Sequence, residues 1–163
     1  MWRRLLVPGS VRLDKLHRIL QAAMGWEDCH LHMFRLDGLI YCTPFDDFGD
    51  DDLDERDVTV VSTAGRVDSF VYEYDFGDSW EHLVTVHSVR RLSKGLKFAV
   101  CLDGAGACPP EDCGGVHGYQ DLLRVLDQPN DPRHRELREW AGGTVDPDEF
   151  DVAAVNTRLQ TVR

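Results

Sequence analysis

The sequence predicts a single α+β domain: an antiparallel β-meander sheet with a helix before it and a group of short helices after it. Two observations predict this class. Alternating apolar and polar residues fill the middle of the chain, and apolar residues recur at three- and four-residue steps near both ends. No internal repeat or low-complexity linker separates these segments, so we expect residues 1–163 to fold as one domain.

The first part of the chain predicts a strand, a helix and a hairpin. Residues 2–7 form a short extended run. Apolar residues at helical spacing predict an amphipathic helix over Leu13–Met24, which Gly25 ends. Alternation over residues 30–35, a tight turn at Asp37-Gly38 and a returning apolar run predict a β-hairpin.

The middle of the chain predicts the meander. Residues 70–76 alternate and carry their aromatic side chains on one face, and residues 82–89 are rich in β-branched side chains. We expect these two segments to be neighbouring strands, joined by a turn at Gly77. Residues 96–102 predict a third strand beside the second, and residues 58–61 predict a further short strand.

The last part of the chain predicts three short helices. Apolar spacing from Tyr119 to Leu126 predicts the first. Asp131-Pro132 is a cap followed by a first-turn proline and opens the second. Val152 and Leu159 lie on the apolar face of the third.

The charge balance excludes some classes of function. Eighteen basic and 29 acidic residues give a net charge of −11, which repels nucleic-acid phosphates unless the positive charges gather on one face. No run approaches the roughly 18 apolar residues of a membrane span, and the start does not match a signal peptide, so we expect a cytoplasmic protein. DNA binding would need a single patch built from Arg3, Arg4, Arg12, Lys15 and Arg18.

The acidic excess is concentrated in one segment. Residues 46–57 hold eight acids and one arginine. We expect a solvated loop that binds nothing specific and tolerates a reduction in charge. A calcium loop starting at Asp50 fails, because its sixth position is Glu55 rather than glycine and its twelfth is Val61 rather than glutamate.

Three of the five cysteines crowd into one loop rich in glycine and proline. Cys101, Cys108 and Cys113 lie within thirteen residues. An odd number of cysteines without an export signal favours reduced thiols or metal ligands over disulfides. Three thiolates and one more donor would suit zinc, which prefers a tetrahedron of four ligands. Reduced structural cysteines are the alternative, because the spacing lacks a pair of Cys-x-x-Cys motifs.

Histidines are the candidates for the fourth ligand. His82 begins a strand that we expect beside the strand ending in Cys101, and His117 lies four residues after the last loop cysteine. His30 and His32 share one strand face, as ligands would. Packing or hydrogen bonding is the alternative role for both of these strand histidines.

Polar residues near the predicted turn match no complete enzyme motif. Asp75-Phe76-Gly77 has the form of the kinase magnesium motif, but the other kinase motifs are missing and the chain is too short for two lobes. We therefore do not expect a kinase. Asp75, Asp78 and Glu111 are candidates for acid–base chemistry, with an ordinary polar turn as the alternative.

Several long motifs in the chain resemble those of a known family. They are Trp2-Arg3-Arg4, Gln21-Ala-Ala-Met-Gly-Trp26, His30-Leu-His32-x-Phe34, Tyr74-Asp-Phe-Gly-Asp-Ser-Trp80-Glu-His82 and Cys108-Pro-Pro-Glu-Asp-Cys113-Gly-Gly. Together they resemble the plasmid pRiA4b ORF-3-like family. The resemblance runs from Trp2 to about Leu159, and its last two motifs are long and unusual.

The resemblance implies little about activity. The family is largely uncharacterised, occurs on plasmids, mobile elements and chromosomes, and is sometimes labelled a passenger TnpR family or a resolvase. A serine resolvase needs a nucleophilic serine among arginines and a basic helix-turn-helix tail, and we do not expect one here. Similar proteins usually have another strand before Trp2, which implies a shortened start or an open sheet edge.

The family pattern also bears on the site. It includes His32, Asp75, Asp78, His82 and the three loop cysteines, whereas His117 lies where relatives vary. The resemblance therefore favours His82 as the fourth ligand beside Cys101, Cys108 and Cys113.

These observations lead us to expect a binding module rather than an enzyme. In this hypothesis a protein of mobile-element origin binds a protein partner, and zinc or hydrogen bonds fix its cysteine loop against the hairpin tip. The alternative is a metal-dependent hydrolase in which Asp75, Asp78 or Glu111 acts as base on a zinc-bound water. A DNA-binding accessory protein is the third hypothesis.

Overall fold

Two largely antiparallel sheets and five α-helices form the part of the chain that the computed structural model describes, residues 1–44 and 52–162. The strands are β1 (Trp2–Leu6), β2 (His32–Leu36), β3 (Leu39–Cys42), β4 (Leu53–Asp54), β5 (Ser69–Tyr74), β6 (Trp80–Thr85) and β7 (Val100–Ala105). The helices are α1 (Leu13–Met24), α2 (Val60–Ala64), α3 (Gly115–Leu126), α4 (His134–Trp140) and α5 (Val152–Leu159). The predicted α+β class is confirmed.

The larger sheet contains both predicted hairpins. Its five strands run in the order β4-β3-β2-β5-β6, with β3 and β4 parallel and the other neighbours antiparallel. In β5 the alternation buries Phe70, Tyr72 and Tyr74, as the sequence predicts. Strand β2 pairs with β5 so that His32 lies opposite Tyr74, the last residue of β5. This register places the start of β2 beside the tip of the β5–β6 hairpin.

The predicted third strand of the meander has a different partner. Strand β7 begins at Val100, and it pairs with β1 in a separate two-stranded sheet, where Leu5 lies opposite Cys101. Alternation identifies a strand but does not specify its partner, and β1 offers an antiparallel edge that no local pattern reveals. His82, in β6, and Cys101, in β7, therefore belong to different sheets.

The predicted strand over residues 58–61 is instead the start of helix α2. Thr59 caps this helix, because its hydroxyl accepts from the backbone N–H of Ser62 and the Ser62 hydroxyl lies 3.0 Å from the backbone N–H of Thr59. This reciprocal capping outweighs the strand preference of the β-branched residues around it. Thr59 also forms an isolated antiparallel β-bridge with Arg12, which is the strand-like pairing seen in this segment.

The core lies between α1, the larger sheet and α5. Leu13 and Ile19 of α1 join Phe34 of β2 in one buried cluster, which also includes Leu159 of α5. Helix α1 ends at Gly25, whose φ of +111° turns the chain into a left-handed cap. The segment that follows runs towards the β5–β6 tip. Within the two described ranges, every helix is too short or too polar to cross a membrane.

The acidic segment lies only partly within the described residues. Asp50, where a calcium loop fails on sequence, lies outside them. At the other end of the segment, Glu55 is 2% exposed, and its carboxylate lies 2.8 Å from His32 Nε2 and 2.6 Å from Thr43 Oγ1. The expectation of a solvated, charge-tolerant loop is therefore wrong for Glu55, because this buried carboxylate is held by specific donors.

Candidate functional site

The cysteine loop is fastened to the tip of the β5–β6 hairpin. Asp78 Oδ2 accepts a hydrogen bond from the backbone N–H of Gly114 at 2.9 Å. Gly115 lies so close to this tip that a Cβ added there would be 2.3 Å from the Asp78 carbonyl oxygen, and its φ is +65°. The close approach and the positive φ both favour glycine at position 115.

The cysteine loop is also fastened to the segment after α1. The indole Nε1–H of Trp26 donates to the carbonyl oxygen of Pro109 at 3.1 Å, and the backbone N–H of Glu27 donates to Glu111 Oε1 at 2.9 Å. The Tyr74 hydroxyl, at the end of β5, donates to the same Glu111 oxygen at 3.1 Å. Three segments distant in sequence therefore meet around Glu111.

The four predicted zinc ligands do not come together at this junction. Cys101 Sγ lies 3.4 Å from the carbonyl oxygen of Asp103 in β7, and His82 Nδ1–H donates to the Trp80 carbonyl oxygen at 2.9 Å. Within the described ranges, possible metal ligands gather in groups of three or more whose atoms lie within 4.8 Å of one another. None of these groups contains Cys101, His82, Cys108 or Cys113. The pairing of β7 with β1 places Cys101 in a different sheet from His82.

Burial keeps the loop thiols protonated. Desolvation raises the pKa of Cys108 to about 12 and that of Cys113 to about 11. It also raises the pKa of Cys101. Thiolates are the metal-binding and nucleophilic forms of cysteine, so these environments fit the alternative role as reduced packing groups.

Four other polar side chains converge instead, and His30 is at their centre. His30 Nε2 lies 3.7 Å from Asp75 Oδ2, 3.9 Å from Glu111 Oε2 and 3.2 Å from Asp112 Oδ1. The sequence indicated His30 as a weaker metal ligand and Asp75 and Glu111 as acid–base candidates. Sequence reasoning missed Asp112, although it stands next to Glu111 in the cysteine-loop motif.

The backbone holds this group in place. Asp75 adopts a φ of +56° at the end of β5, its N–H donates to the Leu31 carbonyl oxygen, and its Oδ1 accepts from the N–H of Gly77. Among the described residues, His30 Nε2 and Glu111 Oε2 are buried atoms without a hydrogen-bond partner. These two unsatisfied atoms lie 3.9 Å apart, next to the Asp75 carboxylate.

The other predicted site residues have separate roles. Asp78 holds the cysteine loop, and His117 is exposed on α3. Two of the five basic residues near the start are engaged within the fold, because Arg3 Nε donates to the Ala23 carbonyl oxygen and Arg12 forms an ion pair with Asp14. Their engagement weakens the hypothesis of a free phosphate-binding patch.

His32 belongs to a second polar cluster, which lies between α1 and the 3-10 turn Glu55–Asp57. Its ring stacks on the ring of His17 with centroids 3.5 Å apart and planes 2° apart. The Tyr72 hydroxyl donates to His17 Nδ1 at 2.8 Å, and His17 Nε2–H donates to Asp28 Oδ1 at 2.6 Å. A neutral imidazole protonated at Nε2 satisfies both partners of His17.

Burial and the neighbouring ring determine the charge in this cluster. Desolvation, with a further contribution from His32, lowers the pKa of His17 to about 4. Burial alone would raise the pKa of Glu55, but hydrogen bonds from His32 and Thr43 hold it below its ordinary value. At neutral pH the cluster therefore contains a neutral His17 and an ionised Glu55.

A cleft of about 490 Å³ opens beside Glu111. It lies between the segment after α1, the cysteine loop and the chain before α5. Five of the residues that line it are acidic. Within the described part of the chain, no lysine, arginine or histidine lines it. The acids are Glu27, Glu111, Asp112, Asp146 and Glu149.

Comparison with known proteins assigns the chain to a family. A family model described as "Plasmid pRiA4b ORF-3-like protein" matches residues 1–154. The chain belongs to the plasmid pRiA4b ORF-3-like family. The resemblance carried by the sequence motifs is thereby confirmed.

Two relatives extend the comparison. The chain is 40% identical over 156 residues to "Uncharacterized protein y4hQ" of Sinorhizobium fredii (strain NBRC 101917 / NGR234), covering 94% of this chain and 78% of that protein. The crystal structure of a protein of unknown function, MM3350 from Methanosarcina mazei Go1, has the same fold with a TM-score of 0.83 and 31% identity, covering 93% of this chain and 87% of that one. The pRiA4b ORF-3-like chain therefore shares its fold with this protein from Methanosarcina mazei Go1.

Sequence reasoning about this pRiA4b ORF-3-like chain missed His17. It lies on the buried face of α1 among apolar residues, where a histidine at helical spacing resembles a core residue. Its partner Asp28 and the stacked His32 lie 11 and 15 residues later, so no local spacing connects them.

Proposed function

We propose that this protein is a binding module whose acidic cleft accepts a positively charged segment of a protein partner. One observation carries the proposal: five acidic residues and no basic residue line the cleft within the described part of the chain. Like charges gathered around one concave surface create a field that attracts cations. The net charge of −11 adds to this field and favours association with basic partners.

The construction of the cleft supports the same function. Trp26 and Pro109 line it and are joined by the hydrogen bond from the indole to the proline carbonyl. The N–H of Ala107, which also lines the cleft, donates to the carbonyl oxygen of Pro147 at 2.9 Å. Walls that are already fixed lose little conformational entropy on binding.

A peptide titration tests this function. The probe is a fluorescent lysine- and arginine-rich peptide, measured by anisotropy at two salt concentrations. We expect binding that weakens with salt and that falls roughly tenfold in the double variant Asp146→Asn/Glu149→Gln, because two exposed charges contribute about 0.5–1 kcal/mol each. The matched control is Glu136→Gln/Glu139→Gln on α4, which changes the net charge equally but lies outside the cleft. Equal weakening in both double variants, or no binding, contradicts the proposal.

A metal-dependent hydrolase is the second candidate function. The observation that favours it is that Glu111 and Asp112 line the cleft and also surround His30 Nε2. A metal-bound water at this place would be open to a substrate in the cleft, with a carboxylate available to accept its proton. Hydrolysis of chromogenic ester and phosphoester substrates by protein loaded with Zn²⁺ or Mn²⁺, and its loss in Asp112→Asn, would support this candidate.

A further inference from the structure

We infer that His30, Asp75, Glu111 and Asp112 form a binding site for one divalent transition-metal ion. The site is separate from the predicted cysteine set. It does not depend on whether a basic partner occupies the cleft.

The distances fit metal coordination. Ligands bound about 2.0–2.2 Å from a tetrahedral zinc ion are about 3.3–3.6 Å from one another. From His30 Nε2 to the three carboxylates, the distances are 3.2 Å to Asp112, 3.7 Å to Asp75 and 3.9 Å to Glu111. The ligand atoms of His30, Asp75 and Asp112 all lie within 4.8 Å of one another. Glu111 is not part of this group and forms a second one with His30 and Cys29, so binding all four residues to one ion requires side-chain movements of about 1 Å.

The hydrogen bonding leaves the ligand atoms free. Glu111 uses Oε1 for Tyr74 and Glu27, whereas its Oε2 is buried and unpartnered in the described part of the chain. Asp75 likewise uses Oδ1 for the Gly77 N–H and directs Oδ2 towards His30, and its side chain is 9% exposed. The carboxylates of Glu111 and Asp75 are thus each oriented by one oxygen and free at the other, as metal-binding carboxylates are.

A simple ion pair between His30 and the acids explains these contacts less well than a metal ion does. His30 Nε2 carries at most one proton, and a hydrogen bond would satisfy one of the three facing oxygens. Yet it makes no hydrogen bond to any residue within the described ranges, although Asp112 Oδ1 is 3.2 Å away. A divalent cation would satisfy the nitrogen and all three oxygens together.

The donor set indicates the kind of metal. One imidazole nitrogen with carboxylate oxygens suits Zn²⁺ or Mn²⁺ rather than a soft, thiolate-preferring ion. The exposed Cys29 forms a second group with His30 and Glu111, so Zn²⁺ has one sulfur donor within reach.

Calorimetric titration of the chelator-treated full chain with Zn²⁺ and with Mn²⁺ tests the inference. We expect one ion per chain and at least a tenfold loss of affinity in His30→Gln and in Glu111→Gln. Glutamine at position 111 keeps an acceptor for Tyr74 and removes the charge, so the fold should persist, as circular dichroism would show. The matched control, His117→Gln, changes an exposed histidine outside the group and should bind as the wild type does.

A spectroscopic measurement on the wild-type protein tests the inference even if a variant misfolds. Electron spin-echo spectra of the Mn²⁺-loaded protein should show coupling to one imidazole nitrogen. Absence of that coupling, absence of stoichiometric binding, or binding that survives in His30→Gln but is lost in Cys108→Ser would each overturn the inference. Peptide binding by the metal-free protein tests the cleft separately, so the two proposals can fail independently.

Discussion

Three neighbouring histidines differ in what surrounds their ring nitrogens, and this difference determines their chemistry. His17 has both nitrogens engaged, by Tyr72 and by Asp28, and His32 has Nε2 engaged by Glu55. His30 Nε2, in contrast, faces carboxylates without a hydrogen bond in the described part of the chain. His30 is therefore the histidine of the three that is free to bind a cation, although all three lie close together in the fold.

The buried His17 should make stability depend on pH. Its pKa is about 4 in the folded protein, below the ordinary value of 6.5, so the unfolded chain binds the proton more tightly. As pH falls from 6.5 to 4, the free energy of unfolding should fall by up to about 3 kcal/mol from this group, with no further loss below pH 4. Urea denaturation between pH 4 and 7.5 measures this slope. His17→Gln should flatten it, and an unchanged slope in that variant would contradict the assignment.

At the level of secondary structure, the sequence predicted those elements whose signals are local. The periodicity of α1 and the aromatic alternation of β5 each lie within one element, and both predictions are confirmed. The partner of β7 was not predictable in this way, because it depends on Trp2–Leu6, about a hundred residues earlier. Helix α2 was missed because the capping by Thr59 and Ser62 outweighed a β-branched run.

The side chain of Asn156, in helix α5, makes two hydrogen bonds to the backbone of β7. Asn156 Oδ1 accepts from the backbone N–H of Cys101, and its Nδ2 donates to the carbonyl oxygen of Cys101, both at 2.9 Å. Asn156→Ala would leave both buried backbone groups unpaired and should lower the free energy of unfolding by about 2 kcal/mol. Thr157→Ala, which removes an exposed hydroxyl one residue later, is the control and should cost about 0.5 kcal/mol or less. Equal losses on urea denaturation would contradict this role.

At the scale of the whole molecule, the candidate site exists because three distant segments meet. His30 follows α1, Asp75 follows β5, and Glu111 and Asp112 belong to the cysteine loop. Each residue has an ordinary local explanation, as a histidine just before a strand, a turn aspartate or a loop acid. The sequence therefore identified most of these residues one by one, but their convergence depends on β2 pairing with β5 and on the loop docking at the hairpin tip.

The docking of the cysteine loop should depend on the absence of a side chain at Gly115. Gly115 and Gly142 both have positive φ, +65° and +74°, but a Cβ at 115 would lie 2.3 Å from the Asp78 carbonyl oxygen, whereas nothing lies within 4 Å of a Cβ at 142. Gly142→Ala should therefore cost about 1 kcal/mol, from the left-handed backbone alone. Gly115→Ala should cost about 3 kcal/mol, because the loop must also move away from the tip. Denaturation measures the two costs, and faster amide exchange at the hairpin tip should accompany only Gly115→Ala. Equal costs would mean that the tip and the loop are not tightly joined.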